Sequence, residues 1–304
     1  MNVSQTSMTI GLVGVGPWGR NILRDLRSLG VTVHAVARSV ASVANAKEGG
    51  AASVTDHPDD LPPCDGYVVA VRTVSHLDVI DRLLPRGRPI FCEKPLSDDL
   101  ARIEALPAAA QDLVFTMHKW RYHPGVLEIA RIARANELGQ VIALRTFRAG
   151  WSDGHPDTTP FWILAPHEIS IAREILGEVP QPVAAFSAAQ SAKDGVIARY
   201  RTQEGVPFTF EVSARHPINL RRIILTCEDG VCTLDASDYG AILVQREGDA
   251  EPSRRPVSTA MPLLAELEAF VAHVAGGRAP KTALHEEIEM IRALTRTLEL
   301  ADAS

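Results

Sequence analysis

The sequence has little of what marks several common classes of protein. Only four of its 304 residues are cysteine, and aromatic residues make up 5%. Basic residues are not in excess, since 31 lysines and arginines face 37 aspartates and glutamates and the formal net charge is −6. Because binding to nucleic-acid phosphates needs a basic surface, this balance argues against a nucleic-acid partner.

Long apolar runs are also missing. No stretch approaches the roughly 18 consecutive apolar residues of a transmembrane helix, so we expect no membrane partner. The polar residues 1–7 lead into a short apolar run and then a glycine turn, which indicates a first strand rather than a signal peptide. These features predict a cytoplasmic protein.

The motifs of metal sites and of several enzyme classes are absent as well. There is no CxxC pair and no HExxH, so no metal site is expected. There is no GxSxG elbow and no P-loop, which argues against hydrolases and nucleoside triphosphatases. The four cysteines are expected to be buried free thiols, although the turn between Cys227 and Cys232 would permit a disulfide.

The first third of the chain alternates short apolar runs with helical patterns. Strands are predicted at 8–13, 31–37, 67–71, 89–92 and 113–117, and helices at 18–29, 75–84 and 98–110. Strands that alternate with helices imply a parallel sheet with right-handed crossovers. We therefore predict a doubly wound, Rossmann-type α/β domain over residues 1–120.

Residues 121–304 follow a different pattern, dominated by strands. These are predicted at 141–148, 183–189, 196–201, 207–213, 222–227, 231–234 and 242–245, with helices at 124–136, 166–176, 262–275 and 285–301. Short turns between successive strands indicate an open, mostly antiparallel sheet in an α+β domain. The polar stretch 247–256 is expected to be an exposed loop, and the last two helices could pack back on the first domain.

A glycine turn after the first strand carries the first functional signal. It reads Gly14-Val15-Gly16-Pro17-Trp18-Gly19 and opens an amphipathic helix. In a dinucleotide-binding turn the first glycine permits the tight turn, the second lets the backbone approach the pyrophosphate, and the third allows close packing. The helix amides and dipole then hold the phosphates. We predict that this turn, including Pro17 and Trp18, binds a dinucleotide cofactor.

The end of the second strand bears on the choice of cofactor. An NAD enzyme usually places a carboxylate there for the ribose 2′-hydroxyl, about 20 residues past the glycines. This sequence has Arg38 and Ser39 instead. An arginine and a hydroxyl would bind a 2′-phosphate, so NADP(H) is the predicted cofactor, with NAD(H) as the alternative. An exposed arginine that only stacks on the adenine would give the same pattern.

The tripeptide Glu93-Lys94-Pro95 follows the strand predicted at 89–92. In a doubly wound sheet the carboxyl ends of the strands face the ligand crevice. Lys94 could there hydrogen-bond a substrate oxygen and donate a proton to it. A solvated loop lysine is the competing interpretation.

These motifs, in this order, resemble a known family. The glycine turn, Glu93-Lys94-Pro95, the segment MHKWRYHP at 117–124 and ELGQV at 137–141 are similar to the glucose–fructose oxidoreductase/inositol dehydrogenase/MocA family. The resemblance implies a Rossmann domain, an open sheet domain and an active site between them. It also implies that Lys94 is catalytic and that Glu93 and Lys94 lie at the cofactor, with a cis Lys94–Pro95 bond.

The resemblance extends to a loop and to a second catalytic element. It implies that the loop residues Arg72, Thr73, Ser75 and His76 approach the cofactor, although Val74 replaces a usual proline. Family members carry Asp-x-x-x-His on a helix. His167 matches the histidine and is a candidate general acid–base, whereas Ile163 occupies the aspartate position and cannot share a proton. A capped histidine at a helix start is the alternative interpretation.

Four residues are predicted to bind substrate. They are Arg121, Tyr122, His155 and His167. His155 belongs to a long irregular segment, and such loops often carry ligand contacts. Arg121 is the preferred carboxylate or phosphate ligand among them, and a salt bridge at the surface or between domains is the competing account.

The sequence therefore predicts an oxidoreductase that moves a hydride between a nicotinamide and a carbon of a sugar or nucleotide-sugar hydroxyl or ketone. An imine or biliverdin-type reductase on the same scaffold, and a non-enzymatic cofactor-binding protein, remain the alternatives. The expected partners are a small-molecule substrate and, as the resemblance implies, further copies of the chain. Such copies would form a homodimer or homotetramer through the open face of the C-terminal sheet.

Overall fold

The computed structural model describes residues 8–151, 158–235 and 237–303. The described residues form two compact units. The first comprises the chain up to Lys119 together with Leu263–Ile288, and the second comprises Trp120–Pro262 with the residues from Glu289 onward.

The first unit contains a parallel sheet of six strands in the order β3-β2-β1-β4-β5-β6. The strands are β1 (Thr9–Val13), β2 (Thr32–Val36), β3 (Ser53–Thr55), β4 (Gly66–Val69), β5 (Ile90–Glu93) and β6 (Val114–Met117). The helices among them are α1 (Gly19–Ser28), α2 (Val40–Glu48), α3 (His76–Leu83), α4 (Leu100–Glu104) and α5 (Ala110–Leu113). This strand order is that of a doubly wound dinucleotide-binding sheet, and it confirms the predicted Rossmann fold.

Three elements of the first unit differ from the prediction. The helix α2 was not predicted because its apolar residues do not gather on one face and only Ala46 is buried. The strand β3 was missed because three half-buried residues are too short for a pattern. The helix predicted at 98–110 is two short helices, since Pro107 lies between them and cannot donate a helical hydrogen bond.

The second unit contains a sheet of eight strands in the order β14-β13-β12-β11-β7-β10-β9-β8. The strands are β7 (Val141–Trp151), β8 (Gln181–Ser187), β9 (Gly195–Arg201), β10 (Pro207–Ser213), β11 (Arg215–Cys227), β12 (Gly230–Asp235), β13 (Ala241–Arg246) and β14 (Ser253–Pro256). The helices of this region are α6 (Pro124–Arg134) and α7 (Pro160–Leu176). Neighbouring strands are antiparallel except β7 and β10, so the mostly antiparallel sheet is confirmed.

Two predictions for the second unit were wrong in part. Residues 253–256 of the expected loop form the edge strand β14, which pairs with β13. The helix α7 begins six residues before Pro166, which lies inside it. A proline costs a helical hydrogen bond, but Phe161, Trp162 and Ile169 bury the helix face on both sides of Pro166 and offset that loss.

Two helices close the chain, α8 (Pro262–Val274) and α9 (Leu284–Asp302). On α8, the ring of Phe270 stacks on Phe91 of β5 with centroids 5.0 Å apart, so this helix covers the parallel sheet. All four cysteines are buried and free, as expected. Among the described residues, no helix is both long and apolar enough to cross a membrane.

Candidate functional site

The glycine turn has the backbone geometry of a phosphate-binding turn. Gly14 has φ of +100°, and a Cβ there would lie 2.6 Å from the carbonyl oxygen of Ala70. A Cβ on Gly19 would collide with the carbonyl oxygen of Gly14. A Cβ on Gly16 would meet no described atom within 4 Å. The first and third glycines are therefore required by packing, and the second faces open space that a pyrophosphate could occupy.

The helix that follows the turn presents an uncompensated positive end. The first turn of α1 contains no acidic residue, and Trp18 at its start gives no side-chain cap. The partial positive charge of the helix amino terminus is thus available to an anion. Together with the space beside Gly16, this fits a dinucleotide.

Arg38 and Ser39 follow β2, as predicted. The Nε of the exposed Arg38 donates to the backbone oxygen of Asp56 at 3.1 Å. Its terminal nitrogens form no hydrogen bond with another described residue. Ser39 caps α2, because its hydroxyl accepts from the amide of Ser42 at 3.1 Å. The Arg38 guanidinium is thus open to a ligand, whereas the Ser39 hydroxyl already has a structural role.

The turn that carries Lys94 lies beside the glycine turn. The Lys94–Pro95 peptide bond is cis, as the resemblance implied. One oxygen of Glu93 accepts a short hydrogen bond from the indole of Trp18, and the other accepts from the amide of Lys94 at 3.1 Å. The Nζ of Lys119 lies 4.4 Å from the centre of the Trp18 ring. Three predicted site residues, Trp18, Glu93 and Lys94, are therefore brought together.

The predicted loop residues after β4 have different environments. Arg72 is exposed, whereas Thr73 and His76 are buried. The Nδ1 of His76 lies 3.0 Å from the Pro95 oxygen, and its Nε2 lies 3.1 Å from the Val71 oxygen. The imidazole of His76 therefore links the loop after β4 to the Lys94 turn, and these contacts give it a positioning role.

A buried pair on the other side of the Lys94 turn was not predicted. Oε1 of Glu287 accepts from the Leu96 amide at 3.3 Å, and its Oε2 lies 2.7 Å from Nε2 of His118. The side chains of Glu287 and His118 are 0% and 1% exposed. No sequence signal connects Leu96 with a glutamate 191 positions later. Together with His76, this pair fixes the Pro95–Leu96 peptide group, which directly follows the cis bond.

Glu266 on α8 is a second buried acid near the same turns. It is 1% exposed, and its Oε2 has no hydrogen-bond partner among the described residues. Burial raises the pKa of Glu266 well above its ordinary value, and the negative charge of Glu93 raises it further, while Lys119 opposes both. Glu266 therefore keeps its proton to a higher pH than an exposed glutamate does.

His167 lies on α7 in the second unit, one turn after Ile163. His167 is half-buried. Ile163 lines a cleft of about 170 Å³ at the carboxyl end of β7. The other described residues that line this cleft are Arg148, Ala149, Gly150, Trp151, Pro160, Leu164, Ser213, Ala214, Asn219 and Arg221. The cleft borders α7 one helical turn before His167, so it is the candidate substrate site of this unit.

The predicted substrate residues are only partly brought to that cleft. Arg121 is buried, and its Nε lies 3.2 Å from the carboxylate of Glu174. A salt bridge at the surface or between domains was the competing account, but the pair that forms is buried within the second unit. Tyr122 is half-buried in the 3-10 helix Lys119–Tyr122, and neither residue lines the cleft. His155 lies outside the described residues.

Metal ligands are not gathered anywhere in the described residues. No group of three or more histidine, cysteine, aspartate or glutamate side chains there could hold a metal ion.

Comparisons with known proteins agree with the geometry of the first unit. Residues 8–117 match the model of the Gfo/Idh/MocA proteins, described as an oxidoreductase family with an NAD-binding Rossmann fold. Inositol 2-dehydrogenase 2 of Saccharopolyspora erythraea is 30% identical over 190 residues, which cover 57% of this chain and 55% of that relative. This chain thus spans little more than half the length of that relative.

Solved structures extend the likeness in fold over the described chain. UDP-N-acetylglucosamine 3-dehydrogenase GnnA of Acidithiobacillus ferrooxidans matches with a TM-score of 0.84 at 19% identity, over 98% of both chains. Levoglucosan dehydrogenase in complex with NADH and levoglucosan matches with a TM-score of 0.84 at 15% identity, over 96% of this chain and 97% of the other. At such identities the likeness shows a shared fold. The family match places an NAD-binding Rossmann domain of the Gfo/Idh/MocA oxidoreductases at residues 8–117, and the chain is similar in sequence to inositol dehydrogenases.

Proposed function

We propose that this protein is an NAD(P)-dependent dehydrogenase of a sugar or polyol, with a preference for NADP(H). The observation that carries the proposal is the junction of the glycine turn with the Lys94 turn through Glu93 and Trp18. This junction supports a nicotinamide cofactor and a proton-transferring lysine at one edge of the sheet.

The residues of the first unit fit the cofactor. Gly16 faces open space, and the amino terminus of α1 carries no carboxylate to repel a pyrophosphate. A bound nicotinamide would supply the hydride acceptor or donor. The protein would contribute orientation and exclusion of water around the reacting carbon.

Lys94 is the proposed proton-transferring group. Its ammonium would hydrogen-bond the substrate oxygen, polarise it, and exchange a proton with it as the carbon gains or loses hydride. His76, His118 and Glu287 would keep the Lys94 turn in place. His167 would assist the proton transfer, and Tyr122 and His155 stay proposed substrate contacts.

Arg38 supports the preference for NADP(H). It is the charged residue at the end of β2, and the two terminal nitrogens of its guanidinium can form a bidentate contact with a phosphate. Ser39 is occupied as the cap of α2, so Arg38 would carry most of the selectivity. Arg72, Thr73 and the turn residue Pro17 are proposed as further cofactor contacts.

The selectivity is tested by titrating the full chain with NADPH and NADH and following tryptophan fluorescence. Tighter binding of NADPH is expected, and Arg38→Ala should remove most of that difference while leaving the affinity for NADH unchanged. Equal affinities in the unaltered protein would refute the NADP(H) preference. A panel of polyols, sugars, ketones and imines then separates a dehydrogenase from an imine reductase and from a non-catalytic cofactor binder.

Self-association through the outer face of the second sheet is also proposed. Phe186 of β8 is 57% exposed and lies opposite Ile197 of β9, which is 45% exposed. Their neighbour Ala185 points to the buried side. Light scattering should report a dimer or tetramer that Phe186→Lys weakens, and an unaltered protein that is monomeric would refute the assembly.

A further inference from the structure

The cleft of the second unit carries a positive charge that a neutral sugar does not need. Its lining includes Arg148 and Arg221, and no carboxylate belongs to the described lining residues. Ser213 and Asn219 add hydrogen-bonding groups, while Trp151 and Ile163 provide an apolar wall. A small polar ligand with one anionic group would fit such a surface.

The two arginines lie directly opposite each other. Arg148 of β7 and Arg221 of β11 are register partners in an antiparallel pair, so their side chains share one face of the sheet. Like charges in such positions repel and destabilise the pair. An arrangement of this kind therefore needs a compensating negative charge.

Only one of the two charges is compensated within the described chain. Arg148 forms a short ion pair with Glu168, and their side chains are 7% and 1% exposed. Its guanidinium also lies 4.5 Å from the centre of the Trp120 ring. Arg148 is therefore neutralised and fixed in place.

Arg221 is the member of the pair that no described residue compensates. Its side chain is exposed, and it forms no ion pair or hydrogen bond with any described residue. Ile163 lies on the α7 wall of the same cleft, where an acidic side chain would attract Arg221 or repel an anion. An isoleucine there leaves the positive potential of Arg221 available to a ligand.

We propose that Arg221 binds an anionic group of the substrate, a carboxylate or a phosphate, so that the substrate is a sugar acid or a phosphorylated sugar rather than a neutral polyol. The guanidinium would form charge-assisted hydrogen bonds with the anion. Trp151 and Ile163 would contact the carbon skeleton, and Asn219 would bind a hydroxyl. This inference deepens the proposed dehydrogenase function and rests on it, because only an enzyme would turn the bound anion over as a substrate. The binding itself can be measured without turnover.

The test uses the full chain saturated with NADPH and calorimetric titration with four compounds. Glucuronate carries a carboxylate, glucose 6-phosphate carries a phosphate, and glucose and myo-inositol are neutral. We expect at least one anion to bind about tenfold or more tighter than the neutral compounds, and Arg221→Ala to remove that advantage. Arg221→Lys should retain part of it, because the charge stays and the planar donor geometry is lost.

Arg254→Ala is the matched control, because Arg254 is an exposed strand arginine paired with Asp238 away from the cleft. It should leave all four affinities unchanged. A preference for the carboxylate or for the phosphate identifies the class of anion. Equal binding of neutral and anionic compounds, or an anion preference that survives Arg221→Ala, would overturn the proposal. Selective anion binding, together with no reduction of NADP⁺ or NAD⁺ by any compound of a wider panel, would instead refute the dehydrogenase function and leave the Arg221 site standing.

Discussion

The two units place their charged side chains in contrasting ways. In the first unit, buried polar groups act on backbone, since Glu287 and His76 bond to the Pro95–Leu96 peptide group that follows the cis bond. In the second unit, buried polar groups act on each other, since Arg121 pairs with Glu174 and Arg148 with Glu168. The first arrangement fixes a turn, whereas the second neutralises charge.

This difference is consistent with the family match over residues 8–117. A cofactor that is shared by many enzymes requires one backbone geometry, and a short motif is enough to specify it. A substrate is recognised by side chains from several strands, and those can change without altering the fold. Ile163 and Arg221 are such positions.

The largest expected effect is the loss of activity caused by substituting Lys94. Lys94→Ala should lower kcat by about a hundredfold or more, because general acid–base catalysis contributes on that order. Affinity for NADPH should change little, since Glu93 and Trp18 remain to hold the turn. Steady-state kinetics and a cofactor titration measure the two quantities, with Lys47→Ala on α2 as an exposed-lysine control. Unchanged turnover would remove Lys94 from the mechanism.

The next effect concerns the buried pair that positions Lys94. Glu287→Ala should lower kcat about tenfold or more, because the Leu96 amide and His118 both lose their partner and the turn shifts. Glu287→Gln should recover part of the loss, since its amide oxygen can still accept from Leu96. A purely structural role predicts reduced thermal stability with normal kcat in the surviving folded enzyme. Glu289→Ala, an exposed change on the same helix, is the control.

A smaller effect concerns stability at high pH in the first unit. The pKa of Glu266 is raised by burial, so the folded protein holds a proton that the unfolded chain releases above about pH 4.3. The free-energy cost of keeping that proton bound in the folded state grows as the pH rises. Glu266→Gln should therefore raise Tm, and by more at pH 8 than at pH 5. Glu268→Gln on the exposed side of α8 should not, and a gain that does not depend on pH would contradict the assignment.

The smallest expected effect is a loss of stability at low pH rather than at high pH, and it concerns Glu137 in the second unit. Hydrogen bonds from Arg255 and Arg131 hold the pKa of Glu137 at about 2. Its stabilising contribution is therefore present above the unfolded pKa of about 4.3 and is lost as the pH falls toward 2. Denaturant unfolding at several pH values between 5 and 2 measures this contribution. The free energy of unfolding should fall less steeply with falling pH in Glu137→Gln than in the unaltered protein. The exposed Glu251→Gln should follow the unaltered protein.

Much of the first unit could be predicted from the sequence, for a physical reason. The glycine turn and the Glu93-Lys94-Pro95 tripeptide are local, and their backbone requirements are visible in adjacent residues. The strand β3 and the helix α2 escaped because short or evenly half-buried segments have no clear periodicity.

The side-chain partners in the site could not be predicted in the same way. Glu287 and Glu266 reach the Lys94 region only through the packing of α8 and α9, far along the chain. Arg121 was a plausible ligand by residue type, and only the position of Glu174 reveals its salt bridge. The significance of Arg221 depends on the register of β7 and β11, which no local pattern specifies.

The most direct test of the dehydrogenase proposal is the formation of reduced nicotinamide by the full chain. The protein is mixed with NADP⁺ or NAD⁺ and a panel of neutral polyols, sugar acids and sugar phosphates, and the absorbance of the reduced cofactor is followed. We predict turnover of at least one sugar or polyol derivative, faster with NADP⁺ and lost in Lys94→Ala. Cofactor binding without reduction by any member of the panel would contradict the account.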